Sequence, residues 1–204
     1  SQVIAPALWA LGVRRIDALV ISHPHDDHVN ALPALRRRFP IGRVITSRAA
    51  LASPAWKSVA PLAGNLPVEG ISPGDRIDLG GGASAELLHP PDLLEAAPND
   101  LSACLKVTLG GTRILLTGDL EDWGTALLLG SGRDLEAEIL LLPHHGAPLG
   151  PAESLLSAVR PREIWVSARE GFASPRVLAQ AGAAARVHET SRDGAVILDI
   201  LDTP

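Results

Sequence analysis

Three of the chain's seven histidines fall within the six residues His-Pro-His-Asp-Asp-His at positions 23–28. An apolar run of strand length precedes this stretch at 17–22, and a helical pattern follows it at 29–39. We expect the turn between the two elements to bring its side chains towards one point. Imidazole and carboxylate groups are ligands of zinc, manganese and iron in proteins. The stretch therefore predicts a metal site with two pairs of ligands, rather than a polar surface loop.

Two other predicted strands also end in potential metal ligands. Asp119 follows the strand-like run 112–118, and His144 and His145 follow the run 137–143. Taken alone, Asp119 is more typical of a helix cap and the histidine pair of a turn. Because a sheet presents groups at the ends of its strands, we interpret all three as candidate ligands of a second metal ion.

The remaining sequence alternates between short apolar runs and helical patterns, without a tandem repeat or a linker. This alternation predicts one mixed α/β domain that covers residues 1–204. Gly110 and Gly111 separate two strand-like runs and predict a tight hairpin, because both central residues of such a turn need positive φ. The predicted strands are 17–22, 42–47, 102–109, 112–118, 137–143, 163–168, 185–190 and 194–200. The predicted helices are 29–39, 121–130, 151–159 and 174–183.

The composition is that of a globular chain, since 46% of the 204 residues are hydrophobic. No apolar run approaches the roughly 18 residues that a membrane-spanning helix needs, so we predict no membrane insertion by this chain itself. The net charge of −5 disfavours a protein that coats nucleic acid generically. The sequence contains no methionine, and we therefore expect it to be a piece of a longer protein.

One segment carries the opposite charge from the chain as a whole. No Asp or Glu occurs between Val29 and Val68, whereas six basic residues do. Because a polyanion needs its distant phosphates neutralised, these residues are candidates for DNA binding, although arginines at a helix end also complement the helix dipole. With no tyrosine, two phenylalanines and four tryptophans in the chain, we expect contact with the DNA backbone rather than base stacking. The six residues are Arg36, Arg37, Arg38, Arg43, Arg48 and Lys57.

These motifs resemble the metallo-β-lactamase fold hydrolases, in which His-x-His-x-Asp-His, a later Asp and a final His bind a dinuclear centre. Several segments are still more similar to the C-terminal domain of the ComEC family, the DNA-uptake channels of naturally competent bacteria. The resemblance implies an α/β fold, a metallo-β-lactamase-like αββα sandwich. Nothing in the chain matches the Asp-Val-Gly-Gln-Gly-Asp-like segment that opens that domain, so we expect the first N-terminal strands to be absent. The similar segments are LGVRRIDALVISHPHDDH, NDLSACLKVTLGGTRILLTGDLE, LLPHHGA, VSAREGF and VLAQAGAAARVHETSRDGAV.

The resemblance also implies the cofactors and their ligands. It predicts two divalent metal ions, manganese or zinc. His23 and His25 would bind the first ion, and Asp27 and His28 the second. Asp119 would bridge the two ions.

The resemblance leaves open which histidine of Pro-His-His-Gly is the last ligand, although His145 matches the family's Pro-x-His-Gly better than His144. Asn99 stands where many members have a further histidine, and it is a candidate ligand of the first ion. An oxygen-rich set of ligands favours manganese over zinc. If His144 is not a ligand, it is the candidate proton donor to the leaving oxygen, and His188 is a second candidate. The predicted catalytic residues are Asp27, Asp119 and His144.

The function implied by the resemblance is that of a metal-dependent nuclease, a phosphodiesterase that digests DNA, the non-imported strand, during transformation. The chain would work beside the membrane channel portion of its parent protein, at the extracytoplasmic face of the bacterial cell membrane. One alternative is a hydrolase of the same fold that acts on a small phosphodiester or ester. Another is a non-catalytic DNA-binding module, against which the intact ligand set argues.

Overall fold

The computed structural model of the chain describes residues 3–92 and 95–197. Within them the strands are β1 (Ile16–Val20), β2 (Ile41–Ser47), β3 (Val68–Ile71), β4 (Arg76–Gly80), β5 (Ala83–His89), β6 (Cys104–Leu109), β7 (Thr112–Leu116), β8 (Ile139–Leu141), β9 (Glu163–Val166) and β10 (Arg186–Glu189). The helices are α1 (Ile4–Ala10), α2 (Asp26–Val29), α3 (Leu32–Arg36), α4 (Arg48–Ala52), α5 (Trp56–Ala63), α6 (Asp122–Gly130), α7 (Ala152–Val159), α8 (Pro175–Ala184) and α9 (Thr190–Asp193). A single 3-10 turn occurs at Asn99–Leu101, and Pro143–Gly146 forms a tight turn in which His144 and His145 have left-handed backbone angles.

The strands form two sheets of unequal size. β1, β2 and β3 make a parallel three-stranded sheet in that order. The other strands make a seven-stranded sheet in the order β10-β9-β8-β7-β6-β5-β4, antiparallel from β4 to β7 and parallel from β7 to β10. The predicted hairpin joins β6 to β7. Its Gly110 and Gly111 have the positive φ values, 54° and 79°, that such a turn requires.

Helices α6, α7 and α8 cover one face of the large sheet. They bury Leu128, Leu155 and Val177 against strand residues that include Leu115 and Leu140. These leucine and valine side chains supply the largest apolar cluster of the described chain, and its burial is the main force that holds the helical layer on the sheet.

The small sheet packs against the other face of the large sheet. Ile45 and Ile71 of the small sheet contact a cluster that contains Leu87 and Leu105 of the large one. Because side chains alternate along a strand, Val44 faces the opposite side, in a cluster that contains residues of α2, α3 and α5. The layers therefore run helix, sheet, sheet, helix, and they confirm the predicted αββα sandwich.

The structure contradicts the single helix predicted over 29–39. The helical segment begins earlier, with α2, where the carboxylates of Asp26 and Asp27 complement the positive end of the helix. It is interrupted before α3, because Pro33 has no N–H to donate to the carbonyl of Val29.

Several short elements lie where the sequence indicated none, namely α1, α4, α5 and the strands β3, β4 and β5. The predicted strand 194–200 is not formed over 194–197, and its remainder lies outside the described residues. Among the described helices, none combines the length and the apolar character needed to cross a bilayer.

Three turns of the chain meet at one rim between the two sheets. They follow β1, β7 and β8. The N–H of Ala103 donates a 2.8 Å hydrogen bond to the Ser22 carbonyl, and the N–H of His144 donates a 3.0 Å hydrogen bond to the Gly118 carbonyl. The first bond ties the turn after β1 to the residue that precedes β6, and the second joins the turns after β7 and β8. The three turns carry the candidate metal ligands.

Candidate metal centre

Four potential metal ligands converge at this rim, and one ligand atom of each lies within 4.8 Å of the others. They come from α2 and from the turns that follow β7 and β8. Two imidazoles and two carboxylates are a donor set suited to zinc, manganese or iron. We call these residues the four-ligand cluster; they are Asp27, His28, Asp119 and His145.

A glycine positions Asp119 just after β7. Gly118 has a φ of 58°, and a Cβ atom at this position would lie 2.8 Å from the side chain of Ser102. The close approach lets Ser102 Oγ accept a 3.0 Å hydrogen bond from the backbone N–H of Asp119. Asp119 is thereby fixed with only 5% of its surface exposed.

His28 is hydrogen-bonded to Asp119. Its Nε2 lies 3.1 Å from Asp119 Oδ2, and its Nδ1 lies 3.2 Å from Ser22 Oγ. Burial acts to lower the pKa of His28, but the hydrogen bond and charge of Asp119, with the charge of Asp27, raise that pKa overall. Burial acts to raise the pKa of Asp119, but the hydrogen bond from His28 and the neighbouring imidazoles lower it overall. The surroundings therefore favour the ionised carboxylate that a cation needs.

The turn after β8 holds its two histidines in an unusual backbone conformation. His144 and His145 have φ values of 47° and 56°, which residues with a Cβ rarely adopt away from functional sites. Nδ1 of His145 donates a 2.6 Å hydrogen bond to the Ser167 carbonyl. This leaves Nε2, 3.6 Å from Asp119 Oδ2, with a free lone pair for a metal. Of the two candidates, the structure brings His145 into the cluster.

His23 and His25 lie beside the four-ligand cluster without belonging to it. The His23 ring is fully buried, 4.1 Å from the centre of the His28 ring and 4.9 Å from that of His25. Its Nδ1 is 3.1 Å from Ser22 Oγ and 3.2 Å from Ser102 Oγ. No group in residues 3–92 or 95–197 hydrogen-bonds to its buried Nε2. Burial, followed by the charge of His28, lowers the pKa of His23 to about 4, so the ring is neutral at pH 7 and suited to binding a metal.

Asn99, Glu121 and His144 form a second group of polar side chains near the four-ligand cluster. Nδ2 of Asn99 donates a 2.7 Å hydrogen bond to Glu121 Oε1, which also lies 3.6 Å from Nδ1 of His144. The carboxylate of Asp100 accepts backbone hydrogen bonds from Glu121 and Gly124, at 3.2 and 2.8 Å, and so caps α6. The structure thus places Asn99 and His144 next to Glu121, outside the four-ligand cluster.

A cavity of about 350 Å³ opens at the cluster. His28, Asp119 and His145 form its polar end, and Leu116 and Leu141 belong to its apolar walls. Apolar walls lower the local dielectric, which strengthens the attraction between a cation and the carboxylates.

The six basic residues predicted to bind DNA lie in different surroundings. Arg36 is half-buried, and its guanidinium donates to the Leu62 carbonyl at 3.0 Å and to the Asn65 side chain at 3.1 Å. Arg43 pairs with Glu69 on the neighbouring strand at 3.4 Å. The role of the six residues in DNA binding stays a prediction. Arg36 also has a structural role, because its guanidinium holds the Leu62 carbonyl and the Asn65 side chain. The exposed members of the set are Arg37, Arg38, Arg43, Arg48 and Lys57.

Comparison with known families agrees with this geometry. Residues 1–163 match the family described as the metallo-beta-lactamase superfamily. The chain belongs to the metallo-β-lactamase superfamily. A solved structure of a CmlA beta-hydroxylase mutant superimposes with a TM-score of 0.61 at 17% identity, covering 86% of this chain and 43% of that one. At this identity the likeness concerns the fold alone, and it supports the metallo-β-lactamase fold.

Two bacterial proteins are similar to most of the chain. Competence protein ComA of Neisseria gonorrhoeae is 31% identical over 172 residues, which make up 84% of this chain and 22% of ComA. ComE operon protein 3 of Bacillus subtilis is 25% identical over 170 residues, 82% of this chain and 22% of that protein. The chain therefore spans about a fifth of the length of these relatives. The similarity that the motifs predicted is confirmed, and together with the four-ligand cluster the superfamily supports divalent metal binding.

The sequence motifs pointed to the candidate ligands but missed the groups that hold them. The hydroxyls of Ser22 and Ser102 and the carbonyl of Ser167 contact the imidazoles. Ser22 directly precedes the histidine-rich stretch, and this position is the one signal that points to it. His188, the second candidate proton donor, lies on β10 with Nε2 3.7 Å from Glu163 of the neighbouring strand.

Proposed function

We propose that the chain is a metal-dependent nuclease domain of a competence DNA-uptake channel. The observation that carries the proposal is the convergence of the four-ligand cluster at one rim between the sheets. The name of the relative ComA connects that cluster with competence. The reaction is hydrolysis of phosphodiester bonds in DNA, and the non-imported strand is the substrate.

The donor groups fit two divalent metal ions, manganese or zinc. The four-ligand cluster would hold one ion. His23, whose buried Nε2 lacks a partner among the described residues, and the adjacent His25 would bind the other, with Asp119 shared between the two. When bound, such ions activate water near neutral pH and offset the negative charge of a reacting phosphate.

His144 is the proposed proton donor to the oxygen that leaves. Its Nδ1 lies 3.6 Å from Glu121 Oε1, and the hydrogen bond from Asn99 holds that carboxylate in place. With Nδ1 facing Glu121, Nε2 of His144 is the atom that would release the proton. Glu121 acts here as a positioning residue that Asn99 supports through Nδ2, while the buried Oδ1 of Asn99, which has no hydrogen-bond partner among the described residues, keeps Asn99 a candidate ligand of the first ion.

DNA is the proposed substrate because of the charge of the neighbouring segment. The acid-free segment between Val29 and Val68 begins directly after the histidine-rich stretch, and most of its basic side chains are exposed. Exposed cations near an anionic site neutralise phosphates away from the bond that is cut. All 23 acidic residues of the chain lie outside this segment, so the net charge of −5 does not describe the segment.

The cellular setting follows from the relatives. Because the chain corresponds to about a fifth of their length, we propose that it works in cis with the membrane channel portion of a longer protein. Its proposed location is the extracytoplasmic face of the bacterial cell membrane, where incoming DNA first meets the channel.

Cleavage of a supercoiled plasmid and of a linear single strand tests the proposal. The purified chain is treated with a chelator and then supplied with manganese or zinc, beside the variants Asp27→Ala and Asp26→Ala. Asp26 is an exposed neighbour of Asp27 on α2 that does not belong to the four-ligand cluster. We expect metal-dependent cutting by the wild type and by Asp26→Ala, and a loss of cutting in Asp27→Ala.

Two other results would replace the proposal. Hydrolysis of bis(p-nitrophenyl) phosphate or of a simple ester, without any cutting of DNA, would identify a hydrolase of small substrates. DNA affinity that persists in Asp27→Ala, in a chain that hydrolyses nothing, would identify a binding module.

A further inference from the structure

One exposed aromatic ring lies directly beside the four-ligand cluster. Phe172 is 37% exposed, and its ring meets the His145 ring edge-on with 5.9 Å between the ring centres. The guanidinium carbon of Arg169 lies 5.9 Å from the centre of the same ring. Aromatic rings and guanidinium planes are the groups on which proteins stack unpaired bases.

Phe172 and Arg169 line a pocket that shares His145 with the cluster. Its volume is about 430 Å³, and Ser167, Ala168 and Thr190 complete its walls. Pockets for small ligands typically measure about 300–1,000 Å³. A group bound in this pocket would therefore be in contact with a residue of the proposed metal site.

The loop that carries the two residues is fastened to the histidine turn. The N–H of Ser174 donates a 2.7 Å hydrogen bond to the Gly146 carbonyl, and the Ser167 carbonyl accepts the 2.6 Å hydrogen bond from His145. Thr190 Oγ1 lies 3.1 Å from the backbone of Ala168. Because the loop is held at both ends, the ring keeps a fixed position relative to the cluster.

We infer that Phe172 and Arg169 form a subsite for one unpaired nucleotide next to the phosphate that is cut. The inference rests on the proposed nuclease function and deepens it, because it names single-stranded DNA, or an unpaired end, as the preferred form of the substrate. The base stacks on Phe172, and Arg169 donates to the adjoining phosphate. Inside a duplex both faces of a base are covered by its neighbours, so the Phe172 ring cannot stack on that base.

Charge alone does not make this subsite selective. Glu170 is exposed beside Arg169 and opposes its attraction for phosphate. The ring of Phe172 is therefore the element that distinguishes an unpaired base from a phosphate backbone in general. The scarcity of aromatic residues in the chain favoured backbone contact alone, but one ring at this position is sufficient for one base.

The binding of a single-stranded oligonucleotide that contains 2-aminopurine tests the inference. Fluorescence quenching and the dissociation constant are measured with chelator present, so that no cutting occurs, for the wild type, Phe172→Leu and Phe172→Trp. Trp9→Leu is the matched control, because Trp9 is 44% exposed and contacts one aromatic ring, Phe39, at 5.6 Å. A blunt duplex of the same sequence is measured in parallel.

We expect Phe172→Leu to weaken single-strand binding by roughly fivefold or more, since stacking contributes about that much per base. Phe172→Trp should retain the affinity, Trp9→Leu should leave it unchanged, and none of the variants should alter duplex binding. Equal single-strand affinity of Phe172→Leu and the wild type would overturn the inference. So would a loss of bound metal in Phe172→Leu, measured by mass spectrometry, because the ring would then only support His145.

The test separates this inference from the nuclease proposal because it needs no hydrolysis. If the wild type cuts DNA and Phe172→Leu binds the single strand with the affinity of the wild type, the subsite is excluded and the nuclease proposal stands. If the wild type cuts no DNA but single-strand binding still depends on Phe172, the nuclease proposal is excluded and the single-strand binding site stands.

Discussion

Nε2 of His28 lies 3.1 Å from Oδ2 of Asp119, across the gap between the two sheets. His28 belongs to the chain that follows β1 of the small sheet, and Asp119 to the turn that follows β7 of the large sheet, 91 residues later. Neither sheet alone can assemble the cluster. Binding of a metal at this point is therefore coupled to the packing of the two sheets against each other.

Metal binding should stabilise the fold. A ligand that binds only the folded state at 100 times its dissociation constant adds about 2.7 kcal/mol to the free energy of unfolding. We expect manganese or zinc to raise the melting temperature of the wild type and of Asp26→Asn, but not of Asp119→Asn. Differential scanning fluorimetry after chelation and after metal addition measures the change, and an equal rise in Asp119→Asn would exclude Asp119 as a ligand.

Ser102 should matter to metal binding although it lies outside the four-ligand cluster. Its hydroxyl accepts the N–H of Asp119 at 3.0 Å and lies 3.2 Å from Nδ1 of His23. Loss of a group that holds ligands typically weakens metal affinity by about 10–100-fold, and an unpaired buried N–H costs about 1–3 kcal/mol. Isothermal titration with manganese and urea unfolding should show both effects in Ser102→Ala. Ser58→Ala, which removes an exposed hydroxyl on α5, is the control.

An ion pair far from the cluster should make the stability sensitive to acid. The hydrogen bond from Arg113 to Glu138, at 2.8 Å, lowers the pKa of Glu138 to about 2 from its usual 4.5. A carboxyl group with a depressed pKa stabilises the fold above its unfolded pKa, and this contribution is lost as the pH falls from about 4.5 through 2. Both side chains are partly exposed, so the contribution is about 1 kcal/mol.

The variant Glu138→Gln isolates this contribution. In urea unfolding of the chelated protein it should be less stable than the wild type at pH 7 by about 1 kcal/mol. The difference should shrink as the pH approaches 2. A constant difference across this range would show that the pair contributes through packing rather than through charge.

The sequence predicted the parts of the site that follow a local rule. Asp119 and His145 could be identified because they directly follow apolar strand-like runs, and strand ends meet at a sheet edge. Ser102 could not, because its contact with His23 joins residues 79 positions apart, and no pattern marks it. Phe172 was missed for a related reason, since a single aromatic residue in a loop has no period to reveal its surroundings.

The fold was predictable to a similar degree. The hairpin at Gly110 was found because two apolar strands flank a glycine pair. The hairpin of β4 and β5 was missed because its strands contain no continuous apolar run of strand length, although Gly80 at the end of β4 and Gly81 and Gly82 after it all have positive φ. Pro33 also indicates the break between α2 and α3, but the apolar spacing over 29–39 favoured a single helix.

The three consecutive arginines of the basic segment should separate into two functions. Arg36 holds the end of α5 through the Leu62 carbonyl and the Asn65 side chain, at 3.0 and 3.1 Å, whereas Arg37 and Arg38 are exposed. The double variant Arg37→Ala/Arg38→Ala should bind DNA more weakly, with the same thermal stability and the same metal content. If both contact single-strand phosphates, the slope of log affinity against log salt should fall by about 1.4.

The single variant Arg36→Ala should behave in the opposite way. Loss of the Arg36 side chain leaves the Leu62 carbonyl without its donor, so the melting temperature should fall by about 2–4 °C, as expected for about 1 kcal/mol in a chain of 204 residues. DNA affinity of the folded fraction should stay close to that of the wild type. Fluorescence anisotropy of a labelled single strand across a salt series, beside thermal melts, measures both quantities. A reduced salt slope in Arg36→Ala, with none in the double variant, would move the DNA contact from the exposed pair to the side chain that is already hydrogen-bonded.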